Sequence, residues 1–319
     1  MPTHSVAFWN LENLFDVEGS PRRTGKLQRT VGGELKGWTQ EVLDRKLAQL
    51  ASVVTRMNGG KGPDVLGVCE VENQHVLDLL CQAVNIPGRR YRVVHAEAKD
   101  ERGIDVAFVY DRKKFKAEKK FFHFIVKRTA TRDIVQVNFR TAAGRPLVLI
   151  GNHWPSRSGG RFESEPYRFV AAETLAYFHQ RIQEEMGAST PVLAMGDFND
   201  EPFDRSLTES AQCERQGEKV RRARTACFLN LMWPLAGQAI GTHYFDNSPN
   251  LLDQFLASRS LLTGEGGIRV LPESVEIVRF PEMVRPGAYP APVPFGRGAA
   301  PNLSGFSDHF PIHVLLEEN

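Results

Sequence analysis

Acidic, amide and histidine side chains recur in this sequence at the boundaries of short apolar segments. The apolar runs SVAFW, VLGVC and VLAMG are each followed at once by one or more such residues. A single acid after a strand is ordinarily a turn residue or a helix cap, but a repeated pattern needs another explanation. If the apolar segments are strands of shared sheets, their ends converge on one cleft. The clusters are Asn10–Asn13, Glu70, Asn152–His153, Asp197–Asp200 and Ser307–His309.

The donor atoms of these clusters are mostly carboxylate and amide oxygens, joined by two histidines. Oxygen ligands suit Mg²⁺, which keeps several waters and is often held by only one or two carboxylates plus a substrate phosphate. A zinc site would need more His or Cys ligands at close spacing, and the sequence has no H-E-x-x-H motif. We therefore expect Mg²⁺ as cofactor, with Mn²⁺ able to replace it.

Other catalytic signatures are missing from the sequence. It contains no G-x-S-x-G motif, which excludes the usual nucleophile elbow of serine hydrolases. The segment Gly19–Lys26 has one residue too many for a phosphate-binding loop, and Leu27 stands where Ser or Thr would hold magnesium. No G-x-G-x-x-G follows a strand, which argues against a dinucleotide-binding fold.

The elements that must position these clusters alternate between short strands and longer helices. Apolar runs predict strands at Val65–Cys69, Val106–Tyr110 and Val192–Met195, while helical spacing predicts helices after an N-cap at Thr39 and over Tyr167–Met186. This mixture predicts sheets covered by helices. No linker divides the 319 residues, so we expect one domain over residues 1–319.

Two predicted loops are long enough to carry function. They cover Gly19–Gly37, which is basic and glycine-rich, and Pro281–Ser307, which is rich in proline and glycine. Long loops in a compact domain often belong to a binding site, and flexible insertion is the alternative interpretation.

The bulk composition argues against a membrane protein and leaves the type of substrate open. Forty basic and 38 acidic residues give a net charge of +2, which neither favours nor excludes nucleic acid because local clustering sets the field at a site. The N-terminus has no signal-peptide pattern, and no apolar run reaches about 18 residues. We expect a cytoplasmic protein without a membrane span, and we favour a monomer.

Seven motifs resemble those of the endonuclease/exonuclease/phosphatase superfamily, in the family's order and over nearly the whole chain. G-D-F-N together with a C-terminal S-D-H is the most specific combination. The resemblance implies a four-layer α/β sandwich, with two mixed β-sheets packed face to face and helices outside, and metal-dependent hydrolysis of phosphate esters. The motifs are Asn10–Asn13, Glu70–Asn73, Arg102–Ala107, Gly151–Ser156, Gly196–Asn199, Leu252–Gln254 and Ser307–Ile312.

The resemblance also implies a metal site and a base. Glu70 corresponds to the main metal ligand, with Asn10 and Asp308 as further ligands or water-mediated supports. Asp197 corresponds to the group that orients or deprotonates the attacking water. Asn199 would hold that water or a phosphate oxygen.

Histidines would contact the phosphate. His309, paired with Asp253, would face the scissile group, because a carboxylate fixes the tautomer of a histidine and favours its charged form. His153 would be a second contact with the phosphate, oriented by Asp105. Asn152 would be a substrate-binding residue. Abasic-site enzymes of the family typically carry tyrosine where this chain has His153, which disfavours that specialised role.

The substrate class is open between a polynucleotide and a small phosphoester. Basic residues at Lys219, Arg221, Arg222 and Arg224 could bind a nucleic-acid backbone as substrate-binding residues, or could be solvated loop charges. We expect a nuclease or related phosphodiesterase acting on DNA or RNA. The alternative is a phosphomonoesterase acting on a polyphosphorylated small molecule or lipid headgroup. A catalytically silent binding protein is a third hypothesis, against which the intact Glu70, Asp197, Asn199 and His309 argue.

Overall fold

The computed structural model describes residues 1–23, 25–95, 104–126, 131–298 and 300–319. Arg102 and Gly103 of the R-G-I-D motif lie outside these ranges. The strands are β1 Thr3–Leu14, β2 Val65–Val71, β3 Tyr91–Val94, β4 Asp105–Asp111, β5 Phe115–His123, β6 Ile134–Thr141, β7 Pro146–His153, β8 Val192–Asp197, β9 Cys213–Glu214, β10 Phe228–Asn230, β11 His243–Phe245, β12 Ser248–Asn250, β13 Asp253–Ser258, β14 Ile268–Ile277 and β15 Ile312–Glu318.

The α-helices cover the sheets. None of the helices among the described residues is long and apolar enough to cross a bilayer. The helices are α1 Gly25–Val31, α2 Gln40–Gly60, α3 Gln74–Val84, α4 Arg161–Met186, α5 Gly217–Arg222 and α6 Arg259–Thr263.

Two mixed sheets form the centre of the molecule. The six-stranded sheet has the order β14-β15-β1-β2-β4-β3, and the seven-stranded sheet has the order β5-β6-β7-β8-β13-β10-β9. Phe8 and Phe108 of the first sheet share one apolar core with Met195 and Phe255 of the second. A second core lies between the first sheet and the helices α2 and α3, and a third includes the buried residues of α4. The predicted four-layer sandwich is therefore confirmed.

The strands that carry polar clusters extend further than their apolar runs. β1 continues through Asn10–Leu14, and its pairing with β2 shifts register between Asn10 and Leu14. The pairing of β2 with β4 shifts between Cys69 and Val71. Glu12, Asn13 and Glu70 adopt positive φ angles of 49°, 58° and 61° there. Such bulges redirect side chains, so these residues are part of irregular strand ends and do not simply follow the strands.

Helix α2 begins at the predicted cap and ends in an irregular segment. The Thr39 hydroxyl accepts a hydrogen bond from the Val42 amide at 3.4 Å, as expected of an N-cap. The backbone leaves helical geometry at Met57, followed by positive φ at Asn58 and Gly59. Helix α4 differs from its prediction, because it begins six residues before Tyr167 and contains Pro166.

The Gly19–Gly37 segment is a packed element, contrary to the interpretation as a flexible insertion. It contains α1 and buries three apolar side chains against the aromatic residues Phe15, Trp38 and Phe295. The Trp38 indole donates a hydrogen bond to the Phe15 carbonyl at 3.1 Å. The apolar side chains are Leu27, Val31 and Leu35.

Candidate active site

Three functional candidates of the seven-stranded sheet lie side by side because of strand register. His153 at the end of β7 is opposite Asp197 at the end of β8. Asp197 is in turn opposite Asp253 at the start of β13. Register alone therefore places a histidine and two carboxylates in one row at one edge of the sheet.

Asn10 connects the two sheets across this edge. Its Nδ2 donates to Asp197 Oδ2 at 3.1 Å, and its Oδ1 accepts from the Glu12 amide at 3.0 Å. The Ser307 hydroxyl donates to the Asn10 carbonyl at 2.7 Å and accepts from the His309 amide at 3.1 Å. Strand β1 and the segment before β15 are thereby held in fixed positions relative to Asp197.

Asp197 is a buried carboxylate surrounded by donors. Oδ1 accepts from the Asn199 amide at 3.0 Å, and Oδ2 lies 3.8 Å from His153 Nε2 and 3.9 Å from His309 Nε2. Burial raises the pKa of Asp197 to about 7; the positive charge of His309 opposes this, while Asp253 and Glu70 add to it. A carboxylate with a pKa near neutrality can accept a proton from water under mild conditions.

His309 is paired with a fully buried carboxylate. Its Nδ1 lies 2.6 Å from Asp253 Oδ2, and its backbone carbonyl accepts from the Trp9 indole at 2.9 Å. Burial acts to lower the pKa of His309, but the charge and hydrogen bond of Asp253, with the charges of Asp197 and Asp308, raise it well above the ordinary value. The surroundings of His309 therefore favour its protonated form, with Nε2 towards Asp197.

The acidic residues provide oxygen ligands for a cation. Glu70 Oε2 accepts from the Asn13 amide at 3.1 Å, and Oε1 lies 3.7 Å from His153 Nε2. Ligand atoms of His243, Asp308 and His309 lie within 4.8 Å of one another. Glu70 and Asp308 line the same cleft as Asn10, so the donors present fit a divalent metal ion.

Most of the predicted site residues line one cleft with a volume of about 1060 Å³. Asp253 is not among the residues that line the cleft, but it contacts His309, which does line it. Asn199 has a positive φ of 51°, and its Nδ2 donates to the Trp154 carbonyl at 3.1 Å. The predicted residues in the cleft wall are Asn10, Glu70, His153, Asp197, Asn199, Asp308 and His309.

Sequence reasoning missed a buried lysine beside the site. Lys46 is on the buried side of α2, and its Nζ donates to the backbone carbonyls of Glu12 and Phe306 at 3.3 and 2.9 Å. Burial lowers the pKa of Lys46 to about 8, while Glu12 and Asp308 oppose this. Burial also raises the pKa of Glu12 to about 7, with Lys46 opposing. The sequence signal that could have identified Lys46 is a lysine at a position of α2 where the helical spacing expects an apolar residue.

His243 was also missed, because it lies in none of the motifs. It forms a bridge pair with His309, and their ring centroids are 4.7 Å apart. Burial lowers the pKa of His243 to about 4, and the positive charge of His309 contributes. The surroundings of His243 therefore favour its neutral form, whereas those of His309 favour the protonated form.

Hydrogen-bond partners bear on the predicted roles of Asn152 and Asp105. Asn152 is fully buried, and its Nδ2 donates to the carbonyls of Ile150 and Met195 at 3.2 and 3.3 Å, so it supports the sheet and does not face substrate. Asp105 has a histidine partner outside the motifs, because its Oδ2 lies 2.9 Å from His95 Nε2, and its role in orienting His153 stays a prediction. Strand β4 pairs with β3, which brings the end of β3 beside Asp105.

The basic cluster Arg221, Arg222 and Arg224 is placed away from the cleft. Helix α5 packs on α6, which begins after Ser258. Ser258 is at the opposite end of β13 from Asp253, about 17 Å away at the usual strand rise. Arg222 is 80% exposed and pairs with Glu218 at 2.7 Å. These arginines are not among the residues that line the cleft, and their substrate-binding role stays a prediction.

Comparison with known proteins gives a family match over almost the entire chain. A family model described as the endonuclease/exonuclease/phosphatase family matches residues 5–318. No curated protein sequence matches the chain.

Solved structures share the fold at low sequence identity. A mannosyl-6-phosphatase from Bacteroides thetaiotaomicron is 17% identical, with a TM-score of 0.59, covering 98% of this chain and 99% of its own. The catalytic domain of human Nocturnin, solved with a bound sulfate anion, is 15% identical, with a TM-score of 0.60 and coverage of 99% and 95%. Truncated TDP2 from Caenorhabditis elegans is 15% identical, with a TM-score of 0.57 and coverage of 98% and 97%.

Proposed function

We propose that this chain, which belongs to the endonuclease/exonuclease/phosphatase family of phosphoester hydrolases, is a magnesium-dependent phosphodiesterase that cleaves nucleic acid by attack of water. The observation that carries the proposal is the proximity of the Asp197 carboxylate to the His309 imidazole. Asp197 Oδ2 lies 3.9 Å from Nε2 of His309, and Asp253 holds the opposite ring nitrogen. Phosphoester hydrolysis needs these two groups, one to take the proton of water and one to stabilise charge on the phosphate.

Asp197 is proposed as the general base. Burial raises its pKa to about 7, so it can take a proton from water at neutral pH. Asn10 and the Asn199 amide hold its two oxygens in position. A carboxylate held in this way could orient a water molecule in line with the phosphorus atom and the leaving oxygen, as in-line displacement requires.

His309 is proposed to stabilise the phosphate. Its Nδ1 proton is directed to Asp253, so Nε2 is the atom that faces the cleft and can donate to a non-bridging oxygen. The positive charge of a protonated His309 would stabilise the phosphate most in the transition state, where negative charge on the phosphate grows. His153, whose Nε2 is 3.8 Å from Asp197, is proposed as a second donor.

Glu70, Asp308 and Asn10 are proposed to hold the metal ion. The fit rests on their oxygen donors lining one cleft. A bound Mg²⁺ would polarise the phosphoryl oxygens and neutralise charge there.

The size of the cleft favours a diester over a small monoester. Its volume of about 1060 Å³ reaches the upper end of the range usual for small-molecule sites. Beyond the reacting groups it extends to Arg157, Arg161 and Phe245, which leaves room for organic groups on both sides of a phosphate.

Paired assays test the proposal. Hydrolysis of single-stranded DNA, RNA and plasmid DNA is measured beside release of inorganic phosphate from sugar and inositol phosphates, with Mg²⁺ present. We expect cleavage of polynucleotide that stops in excess chelator and returns with Mg²⁺ or Mn²⁺. Glu70→Gln should raise the metal concentration needed for half-maximal activity. Phosphate release without diester cleavage would establish the phosphomonoesterase instead, and full activity in chelator would refute metal dependence.

A further inference from the structure

A two-stranded hairpin, β11–β12, forms one side of the cleft. Strand His243–Phe245 pairs with Ser248–Asn250. The connecting residues Asp246 and Asn247 have φ angles of 47° and 60°. Positive φ at both residues of a two-residue connection is the turn geometry that matches the twist of paired strands, so the hairpin is a regular structure.

The hairpin is attached directly to the catalytic candidates. The Thr242 hydroxyl accepts from the amides of Leu252 and Asp253, each at 3.1 Å. The Phe310 amide donates to the Thr242 carbonyl at 2.7 Å. These bonds fix the start of the hairpin to the residues on either side of the Asp253–His309 pair. The start of β11 is therefore held at a defined position relative to the Asp253–His309 pair.

Phe245 is an exposed aromatic ring at the end of β11. It is 73% exposed, whereas Phe310, whose amide bonds to the Thr242 carbonyl before β11, is buried. Among the described residues that line the cleft, Phe245 is the one side chain of the Phe, Tyr or Trp type. A phenyl ring held in water at the wall of a substrate cleft is a stacking surface, since it offers a flat apolar face with little loss of side-chain freedom.

The surroundings of Phe245 in the cleft are polar and partly cationic. Ser248 and Asn250 of the same hairpin line the cleft with Asp246, which places amide, hydroxyl and carboxylate groups near the ring. Arg161 and Arg297 line it as well, and each is about half exposed while paired with a carboxylate. Hydrogen-bonding groups beside a flat ring suit a nucleobase, and guanidinium groups suit neighbouring phosphates. An acyl chain would need a larger apolar wall.

We propose that Phe245 stacks on a base of the substrate and makes nucleotides the preferred substrate class of this site. The inference rests on the proposed function and narrows it, since metal, base and histidines act on the phosphate alone. Phe245 would then contribute to substrate binding and not to the chemical step.

A binding experiment tests this without requiring turnover. In an Asp197→Asn background, which blocks hydrolysis, titration calorimetry measures the affinity for thymidine 5′-monophosphate and for 2-deoxyribose 5-phosphate, which differ only in the base. Phe245→Ala should weaken thymidine 5′-monophosphate binding by about 10-fold or more, within the range known for base–aromatic stacking, and leave the sugar phosphate unchanged. Phe245→Trp should retain the preference.

Tyr177→Ala is the matched control, because Tyr177 is 58% exposed and lies about 24 Å along α4, at 1.5 Å per residue, from Arg161, which lines the cleft. It should change neither affinity. Equal weakening of both ligands by Phe245→Ala, or no change in either, would overturn the proposal. If base-dependent binding is found but no diester is cleaved, the phosphodiesterase assignment fails and the nucleotide preference stands. If diesters are cleaved but the base makes no difference, only the role of Phe245 fails.

Discussion

At the scale of single residues, Asp197 and His309 are buried side by side, and each changes the protonation of the other. The charge of His309 limits the rise in the pKa of Asp197, which burial brings to about 7. Asp197 in turn helps Asp253 to raise the pKa of His309 well above its ordinary value, against the effect of burial. Two neighbouring ionisable groups with such different environments are typical of an acid–base pair in catalysis.

Asp197→Asn tests the general base. The substitution keeps the shape of the side chain and removes its ability to accept a proton. We expect kcat to fall by about two to four orders of magnitude, the usual range for loss of a general base. KM should stay the same or decrease, because a negative charge facing the phosphate is gone. Steady-state kinetics on a short diester measures both, and near-normal kcat in a folded variant would refute the mechanism.

The Asp253–His309 pair is tested by a double-mutant cycle. His309→Ala should act mainly on kcat, because it removes charge stabilisation that increases towards the transition state. Asp253→Asn should reproduce part of that loss, because the 2.6 Å contact orients the imidazole. If Asp253 acts only through His309, the double variant should be little worse than His309→Ala alone. Additive losses in kcat would assign Asp253 a separate role.

At the scale of elements, irregular strand ends decide where the functional side chains point. Glu12, Asn13, Glu70 and Asn199 all have positive φ angles at or beside the ends of strands that line the cleft. Non-glycine residues adopt this conformation at a cost and often do so at functional sites. The motifs predicted which residues matter, whereas the register shifts of β1 and β2 were not predictable, because an alternating apolar pattern does not encode a bulge.

Helix α4 contains a group that should make stability depend on pH. His179 is buried and stacks on Phe228 of β10 with centroids 3.8 Å apart. Burial lowers the pKa of His179 to about 3 from an ordinary value of 6.5. The unfolded chain therefore binds a proton between these values and the folded chain does not. Stability from this group is fully present above pH 6.5 and is lost as the pH falls, by up to about 1.4 kcal/mol per pH unit.

His179→Phe tests this, because phenylalanine keeps a stacking ring that cannot be protonated. Urea unfolding at pH 7.5 and pH 5.0 gives the free energy of unfolding of both proteins. We expect the wild type to lose more stability between the two pH values than the variant. Parallel losses would show that His179 does not contribute to acid sensitivity.

At the scale of the whole molecule, the distribution of charge does not follow the basic clusters of the sequence. Arg221, Arg222 and Arg224 lie with α5 at the end of the seven-stranded sheet opposite Asp253. The arginines that line the cleft, such as Arg157 and Arg161, stand singly in the sequence and pair there with Asp204. The basic cluster of the sequence and the arginines that line the cleft are therefore different residues.

Replacing Arg221, Arg222 and Arg224 with alanine tests that placement. We expect kcat and KM for a short DNA or RNA oligonucleotide to remain unchanged, since these side chains are remote from the cleft. The dependence of KM on salt should also stay the same, because no phosphate contact is lost. A raised KM with a flatter salt dependence would show that the substrate reaches α5.

The two sheets share one apolar core, so we propose that residues 1–319 unfold as a single domain. Phe8, Phe108, Met195 and Phe255 belong to that core and come from both sheets. Urea unfolding followed by tryptophan fluorescence and by circular dichroism should give coincident single transitions. Two separate transitions would indicate independent units.

The sequence by itself determined the family, the layered architecture and seven of the residues that line the cleft. Asn10, Glu70, Asp197, Asp308 and His309 were found because strand ends and short motifs are local patterns in the chain. Tertiary structure alone decided which partner each residue has: Asp105 contacts His95, and Lys46 bridges two segments of the site. It also placed His243 beside His309. These contacts depend on strand register and on the packing of distant segments, and neither is encoded in the neighbourhood of a single residue.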